Sequence, residues 1–315
     1  MIKTKTYNQI REDFYIKLRK KVIPTVLKYE NERKKDLKLA ILQALKLLII
    51  SVILFIIPHP FFIFLGLYVF VFVFKVPSVI KKEFENKIKK IIMPEIASCF
   101  DNISWKEGGT LDGHIYEFVQ IVPQHDIWSN DDVFTGTHNG VNFEISETTL
   151  LTEAIPQHKN KRGQEVEAKY TKVFNGIIIK FDMNKNFTGQ TLIKPNTLFH
   201  SSPQEYLQRT VLEGVDFEKK YDVFTTDEVE ARYVITPSFM ERLNSIKLAF
   251  KVKDLSCAFY GNNLFIALPT KRDVFSICDL NKTLKDEQQY FKMYEEILSI
   301  IKLIDHFKLD QKIGL

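Results

Sequence analysis

The stretch LKLAILQALKLLIISVILFIIPHPFFIFLGLYVFVFVF, residues 37–74, decides how this chain is organised. It is apolar almost throughout, and its polar interruptions are Lys38, Gln43, Lys46 and a corner at Pro58-His59-Pro60. A membrane-spanning helix needs about 20 mostly apolar residues to cross roughly 30 Å of hydrocarbon. Because Leu37–Ile57 and Phe61–Ile80 each supply such a run, we predict a two-helix transmembrane hairpin at residues 37–80.

Two lysines lie at similar distances from the corner of this hairpin. Lys46 is 12 residues before Pro58 and Lys75 is 15 residues after Pro60, which places them about 18 and 22 Å along their helices. Long lysine side chains can reach back to one membrane interface from that depth. The alternative is a single kinked span from Leu47 to Phe74, whose 28 residues would measure about 42 Å and would require strong tilt.

Basic residues flank the predicted hairpin on both sides, whereas its corner carries none. The upstream group is Lys17, Arg19, Lys20, Lys21, Lys28, Arg33, Lys34, Lys35 and Lys38, and the downstream group is Lys75, Lys81, Lys82, Lys87, Lys89 and Lys90. Segments rich in lysine and arginine stay in the cytoplasm, so we expect both termini and the soluble domain to be cytoplasmic. The same groups can bind anionic lipid headgroups. The excess of 44 Lys and Arg over 39 Asp and Glu therefore requires no nucleic-acid partner.

An amphipathic helix is predicted on each side of the hairpin. In residues 1–36, Tyr7, Ile10, Phe14 and Leu18 recur at helical spacing, and in residues 81–100 Phe84, Ile88, Ile91 and Ile92 do the same. Such apolar stripes bury themselves against another element. We expect the two helices to pack on each other or on the soluble domain as a stalk, with insertion between lipid headgroups as the alternative.

Residues 101–315 have the pattern of one soluble α+β domain built from antiparallel hairpins. Hairpins are predicted at Val133–Leu151, Val173–Pro195 and Leu255–Pro269, where alternating apolar residues flank turn-forming Asn and Gly. Ile115–Val122 is a further strand candidate, and residues 152–172 are polar enough to form an exposed loop. An amphipathic helix at Asn281–Phe307 closes the domain.

Three phrases of this region resemble a known family. They are the paired VFTG and VFNG units, FEKKYDVFTTDEVEARYVITPSFMERL at Phe217–Leu243, and CAFYGNNLFIALPTKRDVF at Cys257–Phe275. They are similar to the bacterial domain of unknown function 3137, whose members are sometimes labelled galanin-like, over about residues 95–280 and the helical pair ahead of them. The resemblance implies a membrane-attached bacterial protein with an uncharacterised soluble domain, and it implies no activity that transfers to particular residues. With the basic flanks, we expect that membrane to be the bacterial inner membrane.

Candidate site residues are few. His125, Asp126, Asp131, Asp132 and His138 are metal-ligating residue types in one region. Their spacing matches no known ligand motif, and solvated loop acids with a turn histidine are the interpretation we prefer. Glu228, Glu230 and Arg232 could form a functional cluster or a structural ion pair, since Glu228 and Arg232 share one face of a helix. No cofactor motif is present. Cys99, Cys257 and Cys278 lack CxxC spacing, which indicates neither a disulfide framework nor a zinc site.

Three functions fit these features. The first is a non-enzymatic interaction or scaffold module that presents the soluble domain at the inner face of the membrane and binds a protein partner there. The second is a membrane-bound, metal-dependent hydrolase using His125, Asp131 or His138. The third is an envelope assembly factor that acts through the hairpin itself. A cleavable signal peptide is not expected, because the first apolar run begins near residue 37.

Overall fold

The computed structural model describes residues 6–100, 102–109, 113–155, 158–159, 165–166, 168–183, 185–196, 204–212 and 215–307. These residues form two compact units, which we describe separately. The helical unit comprises residues 6–100 and 276–295, and the β-rich unit comprises the described residues between 102 and 275 together with 296–307. The fold is α+β, with two long apolar helices followed by an antiparallel sheet and a C-terminal helix, as predicted.

The helical unit begins with short segments that lead into two long helices. Its elements are α1 (Tyr7–Lys17), a π-helical segment (Leu18–Val22), α2 (Ile23–Leu27), α3 (Glu30–Ile56) and α4 (Pro60–Ala97). The π-helical segment is followed directly by α2, whose second residue is Pro24. Because proline has no backbone N–H, the regular α-helical hydrogen bonding cannot continue through this position. α4 continues through Pro77 and Pro94, so the second arm of the predicted hairpin and the helix predicted at residues 81–100 are one element.

The amphipathic faces of α1 and α4 are buried inside the helical unit. Phe14 stacks on Tyr294 with ring centroids 4.3 Å apart and meets Phe291 edge-on at 5.1 Å. Ile88 and Ile92 of α4 are buried as well. These stripes therefore pack against protein, as in the stalk arrangement, and are not available to lipid headgroups.

An ion pair fixes the beginning of α3. The Arg33 guanidinium binds both carboxylate oxygens of Glu30, at 2.8 and 3.0 Å, and donates to the carbonyl of Leu280 at 2.7 Å. Glu30 in turn accepts a hydrogen bond from the backbone N–H of Leu284. The bonded guanidinium lowers the pKa of Glu30, so the carboxylate stays charged and holds this corner of the helical unit.

The β-rich unit is built on a nine-stranded antiparallel sheet in the order β1-β2-β3-β6-β11-β10-β7-β9-β8. Its strands are β1 (Ile103–Glu107), β2 (Ile127–His138), β3 (Val141–Ile155), β6 (Lys169–Asp182), β7 (Thr191–Pro195), β8 (Gln208–Thr210), β9 (Tyr221–Thr225), β10 (Ser256–Tyr260) and β11 (Asn263–Pro269). β4 (His158–Lys159) and β5 (Glu165–Val166) form a separate two-stranded ribbon. The helices are α5 (Gly113–Phe118), α6 (Val215–Glu218), α7 (Glu228–Val234), α8 (Pro237–Phe250) and α9 (Glu287–Phe307), of which α9 contributes residues to both units.

Both faces of the sheet are buried against other parts of the unit. Successive residues of a strand point to opposite faces, so both sets of side chains are covered. One face carries Ile178, Leu192, Phe224 and Phe265, which pack with Tyr116 and the segment after α5. On the other face, Phe259 of β10 meets Phe239 of α8, with ring centroids 5.2 Å apart. This burial explains the run of fully buried residues in β9 and the nearly continuous one in β11.

Three local predictions were wrong for the β-rich unit. Ile115–Val122 is not a strand, since α5 and a turn occupy this stretch. Val173–Pro195 is not a hairpin, because β11 and β10 lie between β6 and β7 in the sheet. The predicted loop at residues 152–172 contains the end of β3 and the beginning of β6, which pair through Thr152 and Thr171. Residues 156–157, 160–164 and 167 of that loop lie outside the described residues.

The other two predicted hairpins are confirmed. β2 and β3 meet at Asn139-Gly140, and β10 and β11 meet at Gly261-Asn262. Asn139, Gly140 and Gly261 have positive φ angles of 49°, 79° and 58°, the backbone region that glycine and asparagine adopt at least cost.

Candidate membrane anchor and polar clusters

The apolar hairpin, defined as residues 37–80 of α3 and α4, has its large side chains outside and its small ones inside. Within it only Ala40, Ser51 and Gly66 are buried. In contrast, 22 of the 31 exposed large apolar side chains among the described residues lie between Leu39 and Val79. A water-soluble helix pair buries its large residues and exposes its polar ones. Small residues at the contact and large ones outward are the pattern of helices that pack in lipid.

The contact at Ser51 and Gly66 brings the two helices close together. The Ser51 hydroxyl donates a 3.0 Å hydrogen bond to the Gly66 carbonyl. A methyl group at Gly66 would lie 3.3 Å from both the Ser51 carbonyl oxygen and the Phe55 ring, so even alanine would require a small separation. The buried hydroxyl satisfies its own bonding within the pair, as a polar group in hydrocarbon must.

The two helices of the hairpin have the composition of membrane spans. α3 and α4 are each long and apolar enough to cross a membrane. In the most apolar 18-residue stretch of each helix, only 11% and 6% of the residues are buried. Lys46 and Lys75, the lysines predicted at equal depth, are both exposed, and the Lys75 ammonium lies 5.6 Å from the Phe72 ring centroid. At the corner, Pro58 lies between the helices and Pro60 begins α4, where the His59 ring nitrogen accepts a hydrogen bond from the Phe61 N–H.

A carboxylate cluster lies in the β-rich unit at an irregularity in β2. Asp131, Asp132 and Glu147 each place an oxygen within 4.8 Å of the others, beside a register shift between Asn130 and Val133. Asp132 and Glu147 are buried and Asp131 is exposed. Three carboxylates this close could hold a hard cation, or they could share protons and protein donors.

Protein donors already address two of these carboxylates. Trp105 donates its indole N–H to Asp132 at 2.7 Å, and the backbone N–H groups of Val274 and Phe275 donate to the two oxygens of Glu147 at 3.0 and 3.3 Å. Burial raises the pKa of Glu147 to about 7, and the charges of Asp273 and Asp132 add to this. Glu147 therefore exchanges its proton near neutral pH.

The alternation of β3 contains a signal for Glu147 that no ligand motif includes. Val141, Phe143 and Ile145 of β3 point inward, and Glu147 has the same parity. A carboxylate at an inward strand position is expensive to bury unless hydrogen bonds compensate, so its position in the alternation marks it.

The two histidines considered as metal ligands are not members of the carboxylate cluster. His138 lies at the other end of β2, six residues and thus about 20 Å from Asp132 along the strand, and its ring is 3.7 Å from Asp305. His125 contacts the Pro123 carbonyl at 3.0 Å and the Trp128 ring. Of the candidate ligands predicted from the sequence, the structure therefore brings Asp131 and Asp132 to the cluster, and it adds Glu147.

The predicted cluster of Glu228, Glu230 and Arg232 makes two separate sets of contacts. Glu228 and Arg232 form an exposed 2.7 Å pair one turn apart on α7, and this guanidinium lowers the pKa of Glu228. Glu230 points away and accepts hydrogen bonds from the backbone N–H groups of Thr188 and Gly189 at 3.0 and 2.9 Å. Because each residue has its own structural partners, the three do not converge on a common ligand position.

Comparisons with known proteins give one family match. Residues 172–309 match the family model of DUF3137, described as a protein of unknown function. This match begins and ends later in the chain than the resemblance over about residues 95–280. The comparison with curated proteins gave no match.

Among solved structures, the mycobacterial trehalose monomycolate transport factor A shares 8% identity and a TM-score of 0.33, over 65% of this chain and 88% of that chain. A TM-score this low carries no conclusion about the fold or the function.

Proposed function

We propose that this chain, whose residues 172–309 match the DUF3137 family of unknown function, is a membrane-anchored interaction module. In this proposal the apolar hairpin inserts into a bilayer. The β-rich unit is thereby tethered to the membrane, where it binds a protein partner. The observation that carries the proposal is the burial pattern of the hairpin, with Ser51 and Gly66 inside and large apolar side chains outside.

The energetics favour insertion over exposure to water. Each large apolar side chain contributes roughly 1.5–3 kcal/mol when it is fully removed from water, and the hairpin exposes 22 of them. Even with half of that surface counted, the sum of roughly 16–33 kcal/mol is larger than the total stability of about 5–15 kcal/mol that holds a domain together. Lipid is the solvent in which such a surface is stable.

The proposed orientation places both termini on the cytoplasmic side of a bacterial inner membrane. It rests on the basic residues of both flanks and the absence of charge at the Pro58-His59-Pro60 corner. Anionic headgroups are the proposed lipid partners of the flanks. Interaction, and not catalysis, is the role we propose, because the histidines considered for a hydrolase do not meet the carboxylate cluster.

Reporter fusions test the insertion and its orientation together. A reporter active only in the cytoplasm and one active only outside it would each be fused after Leu315 and, in separate proteins, inserted beside His59. We expect the cytoplasmic reporter to be active at Leu315 and the external reporter at His59. External activity at Leu315 would refute the hairpin, and cytoplasmic activity at both positions would show that the hairpin does not cross.

A pull-down on the intact chain then tests the interaction role. The full chain would be cross-linked in the membrane, solubilised and analysed for bound proteins, alongside a version in which an unrelated two-helix anchor replaces residues 37–80. The same partners on both versions would support binding by the β-rich unit. Loss of the partners with the exchanged anchor would instead favour an envelope factor that acts through the hairpin.

A further inference from the structure

A groove in the β-rich unit is lined by four lysines and one aspartate. It has a volume of about 570 Å³ and lies among Lys172–Asn175 of β6, Lys251–Asp254 after α8, and Pro269–Lys271 at the end of β11. We call it the lysine groove. Its volume is within the range of small-ligand sites, roughly 300–1,000 Å³. It belongs to neither the hairpin nor the carboxylate cluster.

The positive charge of the lysine groove is poorly compensated within the protein. Among the described residues, no carboxylate forms an ion pair with Lys251, Lys253 or Lys271. Asp254, the one acid of the lining, lies 4.0 Å from Lys247, which is not part of the lining. Charges of one sign around a concave surface raise the local potential and concentrate counter-ions. The groove therefore favours an anion.

The backbone that carries the lysines is held in place from two sides. Asn175 donates from its side chain to the Thr270 carbonyl at 2.9 Å and accepts from Thr149 and Lys172. The Thr270 N–H returns a 2.8 Å bond to the Asn175 carbonyl.

Gly176, next in β6, allows this approach, because a Cβ there would lie 2.2 Å from the Leu268 carbonyl oxygen. On the other side Lys251 caps α8 in the left-handed conformation, at φ 53° and ψ 37°.

We infer that the lysine groove binds a phosphorylated ligand, either a free phosphate compound or the headgroup of an anionic phospholipid. A phosphate concentrates its negative charge on a few oxygens, which can accept hydrogen bonds from several lysine ammonium groups at once. The half-buried Val173 and Val252 in the lining offer apolar contact to the body of such a ligand. This inference does not depend on the proposed membrane insertion.

The test uses the purified full chain in a nonionic detergent and calorimetric titration with three soluble probes. Inorganic pyrophosphate represents free phosphate, short-chain phosphatidic acid represents the lipid headgroup, and a tetraglutamate peptide represents an acidic protein segment. The groove variant is Lys253→Gln with Lys271→Gln. The control, Lys106→Gln with Lys220→Gln, removes the same charge at exposed positions outside the groove.

We expect pyrophosphate or phosphatidic acid to bind, and the groove variant to weaken that binding roughly tenfold or more, as loss of charged hydrogen bonds implies. The control should retain the wild-type affinity. Tight binding of phosphatidic acid alone would identify the lipid source, and equal binding of both would identify phosphate itself. Equal losses in both variants, no phosphate binding, or binding of tetraglutamate alone would overturn the inference.

Discussion

Replacing Ile49 by arginine distinguishes a hairpin that faces lipid from one that faces water. Ile49 is 57% exposed on α3 and lies nine residues before Pro58, which is about 13 Å from the corner and near the middle of a 30 Å hydrocarbon layer. The two environments therefore predict opposite results for the same substitution.

In lipid the substitution is expensive. An isoleucine near the centre of a spanning helix contributes about −0.3 to −0.6 kcal/mol to insertion, and an arginine opposes it by about 2.5–3.5 kcal/mol. The change of roughly 3–4 kcal/mol corresponds to two to three orders of magnitude in the inserted fraction. The new cation also lies one turn from Lys46, and like charges at that spacing destabilise further. In water, an exposed substitution costs at most about 0.5 kcal/mol.

The assay is the fraction of protein that floats with membranes after a carbonate wash, which distinguishes insertion from aggregation. We expect the wild type to float, Ile49→Arg to float less, and a double variant with Val71→Arg to be lost from the membrane fraction. The control is Leu248→Arg, at a 79% exposed position of the β-rich unit, which should float like the wild type. If the double variant floats as the wild type does, or the wild type does not float, the hairpin does not lie in lipid.

Three further predictions concern stability, each measured on the detergent-solubilised full chain. Because its folded pKa of about 7 exceeds the ordinary 4.5, Glu147 stabilises the β-rich unit fully below about pH 4.5 and loses that contribution, on the order of 3 kcal/mol, as pH rises through 7. Glu147→Gln should therefore flatten the fall of the melting temperature between these pH values, and an unchanged fall would contradict this assignment. Glu230→Ala should cost about 1–3 kcal/mol in denaturant unfolding by leaving two backbone donors unsatisfied, whereas Glu228→Ala should have little effect; equal effects would indicate that the two acids act together. Phe14→Ala should destabilise the helical unit by about 3–5 kcal/mol in thermal unfolding, while the exposed Ile16→Ala should not, and a neutral Phe14→Ala would mean that α1 is not packed on protein.

Long elements with a strong pattern could be predicted from local sequence alone. The apolar run at residues 37–74, the stripe of Phe14 and Leu18, and the two tight turns at Asn139-Gly140 and Gly261-Asn262 each depend on neighbouring residues. Helix periodicity, the length of an apolar run and turn chemistry are properties of contiguous chain, so the predicted helices and these two turns are confirmed.

Strand partners were harder to predict because they depend on residues far apart in the chain. β6 and β7 follow each other with a short connection and look like a hairpin, yet β11 and β10 are inserted between them. Packing in the core stabilises this strand order, since Leu192 of β7 lies with Ala258 of β10 and Phe265 of β11 in one buried apolar cluster. Ile115–Val122 is apolar enough for a strand, but α5 places Tyr116 on that cluster instead.

The amino-acid sequence by itself thus determined the apolar hairpin, its basic flanks and the α+β class, because run length, charge and periodicity are properties of neighbouring residues. Tertiary structure alone decided that Asp132 and Glu147 meet, that Glu230 bonds to Thr188 and Gly189, and that three separate segments supply the lysine groove. Their proximity is set by strand order and by the burial of apolar faces, which sum over the whole β-rich unit. No spacing in the sequence encodes such distances.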